Sequence, residues 1–171
     1  MLDNQKEPQI AKSVYLAEGC KIRGDVHIDE QSSVWFNSVI RGDLAKIKIG
    51  RCSNIQDLVV IHVSLNQPVT IADYVTIGHS AILHGCTIGK GSQIGMGAII
   101  LDGAVIHEET SVAAGALVPG NKTYPPRVML MGVPARVVRE LTAKEISTMR
   151  ETAERYIGKA QEAMDAVNVS F

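Results

Sequence analysis

Aliphatic residues recur at six-residue intervals along most of the chain, and this period is the strongest structural signal in the sequence. The recurring positions are Ile10, Leu16, Ile22, Ile28, Val34, Ile40, Ile49, Ile55, Ile61, Ile71, Ile77, Leu83, Ile88, Ile94, Ile100, Ile106, Val112 and Val118. The series shifts at three places, where three or four residues are added or one is missing. A helical period of 3.6 residues cannot produce this spacing, and an alternating strand does not require it.

The six-residue period predicts a parallel β-helix, in which each unit supplies one short strand and one tight corner. Three units complete a triangular turn of about 18 residues, and turns stack about 4.8 Å apart. Small residues follow many of the aliphatic positions, as in IGKGSQ, IGMGAI and VAAGAL, and they suit the corners. We therefore predict an all-β solenoid of about six triangular turns within residues 1–136.

The C-terminal part of the sequence has a helical pattern instead. Paired prolines at 125 and 126 and the GVP sequence at 132–134 interrupt regular structure. Thr142 and Glu145 then form a capping box. An apolar stripe at helical spacing follows it, made of Ile146, Met149, Ala153, Tyr156, Ile157, Ala160 and Met164. We predict that residues 137–171 contain a C-terminal α-helix that packs on the β-helix through this stripe.

Composition limits the classes of partner and the compartment. Lys plus Arg number 17 and Asp plus Glu number 18, with no long basic run, which argues against a nucleic-acid or anionic-membrane partner. No apolar segment has the length of a membrane span, and the polar start MLDNQKEPQI lacks a signal core. The three cysteines have no CxxC spacing, so we expect reduced thiols and a cytoplasmic location.

Two of the five histidines lie in the short run IGHSAILHG, and the period places them on the solenoid. His62 is the second residue of the unit that starts at Ile61. His84 is the second residue of the unit that starts at Leu83, which is the third unit after it. Units three apart stack on one face, so their side chains should point the same way, about one strand spacing apart. Arg41 occupies the same position one turn earlier. The register therefore predicts a column of Arg41, His62 and His84.

His79 belongs to a neighbouring face. It is the third residue of its unit, and Asp57 holds the same position one turn earlier, so these two side chains should form a second column. Within one chain the two columns point in different directions. They can meet when the face of a second chain packs against the first, which a cyclic trimer would do three times.

Three imidazoles that converge from two chains suit a divalent metal ion, with zinc favoured and Fe2+ or Co2+ possible. Three neutral nitrogens leave the full charge on the ion and an open position for water, whose pKa falls to about 7. We interpret His27 and His107 as surface residues. Cys86, two residues past His84, is interpreted as a buried thiol rather than a ligand.

Several motifs resemble the γ-class carbonic anhydrases and their close relatives, which are hexapeptide-repeat proteins. The similarity rests on RGDLAKIKIGRCSNIQD, IHVS, IGHSAILHG, IGMGAIILDGAVI and GVPARVVREL, and it covers nearly the whole chain. It implies a left-handed β-helix, usually a homotrimer. The handedness comes from this resemblance, since the general crossover rule favours the opposite hand.

The resemblance also implies roles for individual residues. The family's metal ligands correspond to His62, His79 and His84, and its intersubunit pair corresponds to Arg41 and Asp57. The implied catalytic neighbours are Gln56, which would orient the metal-bound water, Asn54 and Asp43, which would support the pocket, and Tyr156, which would reach its rim. Packing within the apolar stripe already accounts for Tyr156.

The chain departs from the archetypal active members at the acidic residues that help to move protons. Those members carry a glutamate after the RGD aspartate, where this sequence has Leu44, and a long acidic loop before the second histidine. Only sixteen residues separate His62 from His79 here. The histidines that would bind the metal are therefore present, whereas the acidic residues that export protons to solvent in those members are missing.

The sequence leaves three functions open. The leading one is reversible hydration of carbon dioxide to bicarbonate by a zinc-bound hydroxide at the trimer interface. The second is an acyltransferase or thioesterase that acts on coenzyme A thioesters, a class in which acyltransferases usually rely on one histidine as general base. The third is a catalytically weak trimeric scaffold clamped by metal. Loss of activity on chelation would separate the first from the second.

Overall fold

The computed structural model describes residues 6–168, which form a parallel left-handed β-helix of about seven turns followed by a C-terminal α-helix. The predicted fold class is confirmed. The stack is about one turn longer than the aliphatic series suggested, because Tyr124 and Leu130 occupy two further buried inward positions after Val118.

The strands form three faces, and strands one turn apart are hydrogen-bonded in parallel. The histidine face contains the first parts of β3 (Lys21–Ile28) and β5 (Val39–Ile49), then β7 (Val60–His62), β10 (Ile82–His84), β13 (Ile99–Ile100) and β16 (Leu117–Val118). The helix face contains β2 (Tyr15–Leu16), β4 (Ser33–Val34), β6 (Asn54–Ile55), β9 (Thr76–Ile77), β12 (Gln93–Ile94), β15 (Ser111–Val112) and β18 (Val128–Gly132). The third face contains β1 (Gln9–Ile10), the second parts of β3 and β5, then β8 (Val69–Ile71), β11 (Thr87–Ile88), β14 (Val105–Ile106) and β17 (Thr123–Tyr124).

The six-residue series forms the interior of the β-helix. From Ile28 to Val118 each member of the series is at most 1% exposed, so every strand contributes one β-branched or leucine side chain to a continuous aliphatic column. Leu16 is 41% exposed, because the first turn has no preceding turn to cover it. The interior is therefore closed by the stacking of turns, and among the described residues its cover is thinnest at the first turn.

The chain leaves the solenoid through an antiparallel hairpin that the repeat did not predict. Strand β19 (Ala135–Glu140) turns back and pairs with β18. The helix α1 (Ala143–Asn168) starts after two intervening residues. These bounds describe the C-terminal elements, and the division of the chain at residue 136 stays a prediction.

The helix begins at the predicted capping box and lies on the helix face. The Thr142 backbone N–H donates to Glu145 Oε2 at 2.9 Å, and the Glu145 N–H donates to Thr142 Oγ1 at 3.3 Å. Met149, Ala153 and Ala160 are buried, and α1 contacts β2, β4, β6 and β9. The apolar stripe thus packs as predicted. No helix within residues 6–168 has the apolar length that a membrane crossing needs.

We expect Ile88→Ala to destabilise the protein by about 2–5 kcal/mol, because it empties a fully buried position on the third face, away from His62, His79 and His84. Denaturant unfolding at fixed protein concentration measures the change. Leu65→Ala is the matched control, since Leu65 is 71% exposed and its loss should change the free energy by less than about 0.5 kcal/mol. Equal effects of the two substitutions would contradict the assignment of the core.

Candidate metal centre

The strand register brings Arg41, His62 and His84 into one column on the histidine face. Arg41 is the ladder partner of His62, and His62 is the ladder partner of His84. The two imidazole rings have centroids 4.9 Å apart, and His62 Nδ1 lies 3.0 Å from His84 Nε2. Both rings are half-buried. Two possible metal-binding nitrogens therefore face each other within one chain.

A carboxylate holds the outer nitrogen of each ring. His62 Nε2 lies 2.9 Å from Asp43 Oδ1, and His84 Nδ1 lies 2.6 Å from Asp102 Oδ1. Imidazoles that bind metal commonly donate their other N–H to a carboxylate, which fixes the tautomer and raises the basicity of the ligating nitrogen. Both histidines are thus oriented in the manner of metal ligands.

A count of protons favours a cation between the two rings. Three contacts join Asp43, His62, His84 and Asp102, and two neutral imidazoles supply protons for only two of them, so the third contact needs either a further proton or a metal ion. With both protons on the carboxylate sides, His62 Nδ1 and His84 Nε2 direct lone pairs at each other. Two nitrogens on one tetrahedral zinc ion stand about 3.3 Å apart, close to the separation seen here. The donor set therefore fits a divalent ion.

His79 lies apart from the other two histidines, at the corner that follows β9. His79 Nδ1 is 2.7 Å from Asp57 Oδ2, so this ring also has a carboxylate on one nitrogen and directs Nε2 to the opposite side. Within residues 6–168 of a single chain, no three His, Cys, Asp or Glu side chains form a group that could hold a metal ion. The column of Asp57 and His79 forms as the register predicts, but one chain does not unite it with the other column.

Arg41 contacts Asp43 within the chain. Burial alone would raise the pKa of Asp43, but the hydrogen bonds from His62 and Arg41 outweigh burial and lower the pKa below its ordinary value. Asp43 therefore remains a carboxylate that can hold the His62 ring. Asp57, in turn, accepts a hydrogen bond from the Phe36 backbone N–H at 3.2 Å as well as contacting His79.

Gln56 and Asn54 lie on the helix face beside His79. The Gln56 amide donates from Nε2 to Asn54 Oδ1 at 3.2 Å, and Asn54 Nδ2 donates to Thr76 Oγ1 at 2.9 Å. Gln56 and His79 line the same cavity of about 330 Å³, which Thr152 of α1 also lines. Asn54 accepts a hydrogen bond from the amino group of the Gln56 side chain. The carbonyl oxygen of that side chain is therefore left to accept a hydrogen bond from another group.

Tyr156 lies on α1, and its predicted place at the rim of the site stays a prediction. Its ring packs edge-on against Trp35, with centroids 5.5 Å apart. Burial raises the pKa of Tyr156, and the negative charge of Asp57 raises it further. Tyr156 is thus both a packing residue and a neighbour of the pair formed by Asp57 and His79.

The remaining histidines and Cys86 lie elsewhere. His27 contacts Asp29 at 3.0 Å on the third face, and His107 lies 3.9 Å from Glu108. Cys86 is 1% exposed, and burial raises the pKa of its thiol to about 12. Because a thiol binds metal as the thiolate, this burial disfavours Cys86 as a ligand.

Sequence reasoning did not identify Asp102 or its partner Ser64, whose hydroxyl donates to Asp102 Oδ2 at 3.3 Å. The signal was present in the register. Asp102 is the third residue of the unit that starts at Ile100, one turn after Gly85, and a glycine at that position leaves room for a side chain to lean toward His84.

The chain is similar to known carbonic anhydrases and to other hexapeptide-repeat proteins. A family model described as bacterial transferase hexapeptide (six repeats) matches residues 85–120. A "Probable carbonic anhydrase" from Methanocaldococcus jannaschii is 51% identical, over 92% of this chain and 98% of that protein. "Gamma carbonic anhydrase 2, mitochondrial" from Arabidopsis thaliana is 41% identical over 91% of this chain and 58% of its own length. The crystal structure of a hexapeptide transferase family protein from Anaplasma phagocytophilum is 38% identical, with a TM-score of 0.88 over 91% of this chain and 92% of the other.

We expect Tyr156→Phe to leave stability unchanged within about 0.5 kcal/mol, because the edge-on contact with Trp35 is kept. Tyr156→Ala should cost at least the roughly 0.5–1.5 kcal/mol of an aromatic pair and shift the emission of Trp35, the single tryptophan. Denaturant unfolding followed by tryptophan fluorescence measures both. An unchanged emission maximum in Tyr156→Ala would contradict this packing.

Proposed function

The chain belongs to the γ-class carbonic anhydrase family of hexapeptide-repeat proteins, and we propose that it interconverts carbon dioxide and bicarbonate at a metal centre shared between chains of a homotrimer. The observation that carries the proposal is the pair of facing nitrogens on His62 and His84, each ring held by a carboxylate on its far side. Residues 6–168 of one chain provide no third protein ligand beside this pair, and His79 of a neighbouring chain would supply it.

The ion would be held by His62 and His84 of one chain and His79 of the next. Imidazole suits zinc, iron and cobalt, and we propose zinc, with Fe2+ or Co2+ as alternatives set by availability. When bound, the ion would supply Lewis acidity and lower the pKa of water to about 7, so that hydroxide is available near neutral pH. Three neutral ligands suit this chemistry because they leave the positive charge of the ion uncompensated.

The protein's own residues would orient the reactants. Asp43, Asp57 and Asp102 each hold an N–H of one histidine. Gln56, fixed through its amino group by Asn54, would accept a hydrogen bond from the reacting water and so direct its lone pair toward carbon dioxide.

Exposed aliphatic residues on the histidine face support a trimer. Val39, Val60 and Ile82 are ladder partners on successive turns and are each between 37% and 40% exposed. They form a stripe two residues before the column of Arg41, His62 and His84. A second copy of the chain that covers this stripe would bring its His79 to the same face.

One further contact belongs to the proposed assembly. Arg41 and Asp57 would form a pair across the interface, since a guanidinium and a carboxylate make a directional bidentate contact.

We propose a cytoplasmic location for the protein. The three cysteines are free thiols in the structure, and the reducing environment of the cytoplasm keeps thiols in this state.

The second candidate, transfer or hydrolysis of coenzyme A thioesters, is favoured by the similarity to the hexapeptide transferase family protein from Anaplasma phagocytophilum. Against it, acyltransferases of this class usually rely on one histidine as general base, whereas here the rings of His62 and His84 face each other with nitrogens 3.0 Å apart. A metal-clamped scaffold without turnover is the third candidate.

One experiment separates the three functions. Protein purified without oxygen is analysed for metal, and the same sample is assayed for carbon dioxide hydration by stopped flow and for acetyl-coenzyme A hydrolysis, each with and without a chelator. We expect one metal ion per chain and hydration that the chelator abolishes. Thioester turnover that survives chelation would support the transferase, and full metal occupancy with hydration no faster than buffer would support the scaffold.

Subunit mixing tests whether the ligands come from two chains. A His79→Ala trimer and a His62→Ala/His84→Ala trimer should each bind no metal at the site. Unfolding and refolding the two together at equal amounts should restore metal binding in about one quarter of the sites, because random assortment pairs an intact column with an intact His79 at that frequency. Mixed trimers that stay metal-free would contradict an intersubunit site. The unmixed variants, refolded separately, are the control.

The residue at position 44 should make turnover dependent on buffer. Leu44 is 44% exposed where archetypal family members carry a glutamate, so buffer would have to carry protons away. We expect hydration by the wild type to rise with buffer concentration, and Leu44→Glu to raise the rate most at low buffer. Leu65→Glu, on an exposed residue outside the RGD segment, is the matched control. A buffer-independent rate in the wild type would contradict this prediction.

A further inference from the structure

We propose that Asp102 is a positioning residue that fixes the tautomer of His84, and that Ser64 holds the Asp102 carboxylate in place. The inference deepens the proposed function and rests on it, because the tautomer decides which nitrogen of His84 can bind metal. The residues lie on three different turns or corners, so the arrangement exists only in the folded solenoid.

Two contacts orient the carboxylate of Asp102 toward His84 and Ser64. Asp102 Oδ1 lies 2.6 Å from His84 Nδ1, and Asp102 Oδ2 accepts a hydrogen bond from Ser64 Oγ at 3.3 Å. Both oxygens therefore have partners on the histidine-face side of the corner. An ionised carboxylate can only accept hydrogen bonds, so the imidazole nitrogen that faces it carries the hydrogen.

The backbone makes room for this contact at one glycine. Gly85 follows His84 with a φ of 54°, and its carbonyl accepts a hydrogen bond from the Gly103 N–H at 2.7 Å. A Cβ at Gly85 would overlap Asp102 Oδ1. The absence of a side chain at position 85 thus allows the carboxylate to approach the imidazole of the preceding residue.

Fixing Nδ1–H on His84 leaves the lone pair on Nε2, the atom that faces His62 Nδ1 at 3.0 Å. Asp43 does the same for His62 from the opposite nitrogen. Without Asp102, His84 could carry its proton on Nε2, and this proton would have to be lost before an ion could bind. Asp102 therefore prepares the column for metal, and does so without touching the reacting molecules.

The test compares Asp102→Ala, Asp102→Asn and Ser64→Ala with the wild type. Asp102 is 42% exposed at its side chain, so these substitutions should leave the fold intact, which thermal unfolding checks. Asp73→Ala is the matched control, because Asp73 is also a corner aspartate beside a glycine, but it accepts from the Arg51 N–H at 2.9 Å and contacts no histidine in the column.

Zinc affinity is measured by competition with a chromophoric chelator, and the visible spectrum of the cobalt-substituted protein reports on ligand geometry. We expect Asp102→Ala to weaken zinc binding about 10- to 100-fold, as loss of a carboxylate behind a ligand does. Asp102→Asn, which keeps one acceptor oxygen, and Ser64→Ala should cost less. Asp73→Ala should bind like the wild type.

The tautomer itself is read on metal-free protein at pH 8 by long-range proton–nitrogen NMR of the histidine rings. We expect the His84 proton on Nδ1 in the wild type and a shift toward Nε2 in Asp102→Ala. An Nε2 proton in the wild type, or identical spectra and zinc affinities in the two proteins, would overturn the inference. A wild type that binds no zinc but shows the Nδ1 proton would instead contradict the proposed function and leave the role of Asp102 standing.

Discussion

The parallel hydrogen-bond ladder between successive turns controls the positions of Arg41, His62 and His84. Each strand is only two or three residues long over much of the solenoid, so no strand is stable by itself. Its partners one turn above and below fix both its register and the direction of its side chains. Arg41, His62 and His84 are far apart in the chain, and the ladder places them side by side. The aliphatic interior holds the ladder because a slip of one residue would expose it.

The ladder alone does not produce a metal site, since stacked imidazoles could adopt several tautomers and protonation states. Corner residues provide the missing constraint. Asp43 and Asp102 stand outside the regular six-residue positions or lean across a turn, and each holds one ring from the far side. Regular strands thus set the spacing of the proposed ligands, and irregular corners place the carboxylates that would fix their tautomers.

Much of the fold could be predicted from the sequence because a repeat converts spacing into three-dimensional register. Counting in units of six placed His62 beside His84 and Asp57 beside His79, and the structure has both contacts. The C-terminal capping box was equally local, since Thr142 and Glu145 are three residues apart. These features depend on neighbours in the chain or on a fixed period.

What could not be predicted depends on side-chain direction or on the ends of the stack. Asp102 was missed because its contact with His84 depends on the direction of its side chain, and counting units places Asp102 one turn after Gly85 but does not give that direction. The exposure of Leu16 follows from its place on the first turn rather than from its residue type. The antiparallel strand β19 breaks the period, so the repeat gave no signal for it.

The insertion between Gly42 and Ile47 has a consequence for how this architecture diversifies. The ladder of β3 and β5 is interrupted there and resumes afterwards in register, so the intervening residues bulge from a corner without moving the strands. Selection can therefore alter Leu44, Ala45 and Lys46 without moving the strands, whereas Asp43 in the same insert is constrained by its contact with His62. A lineage could exchange one insert for another, gaining or losing a proton relay or a substrate contact, while inheriting an unchanged set of imidazoles.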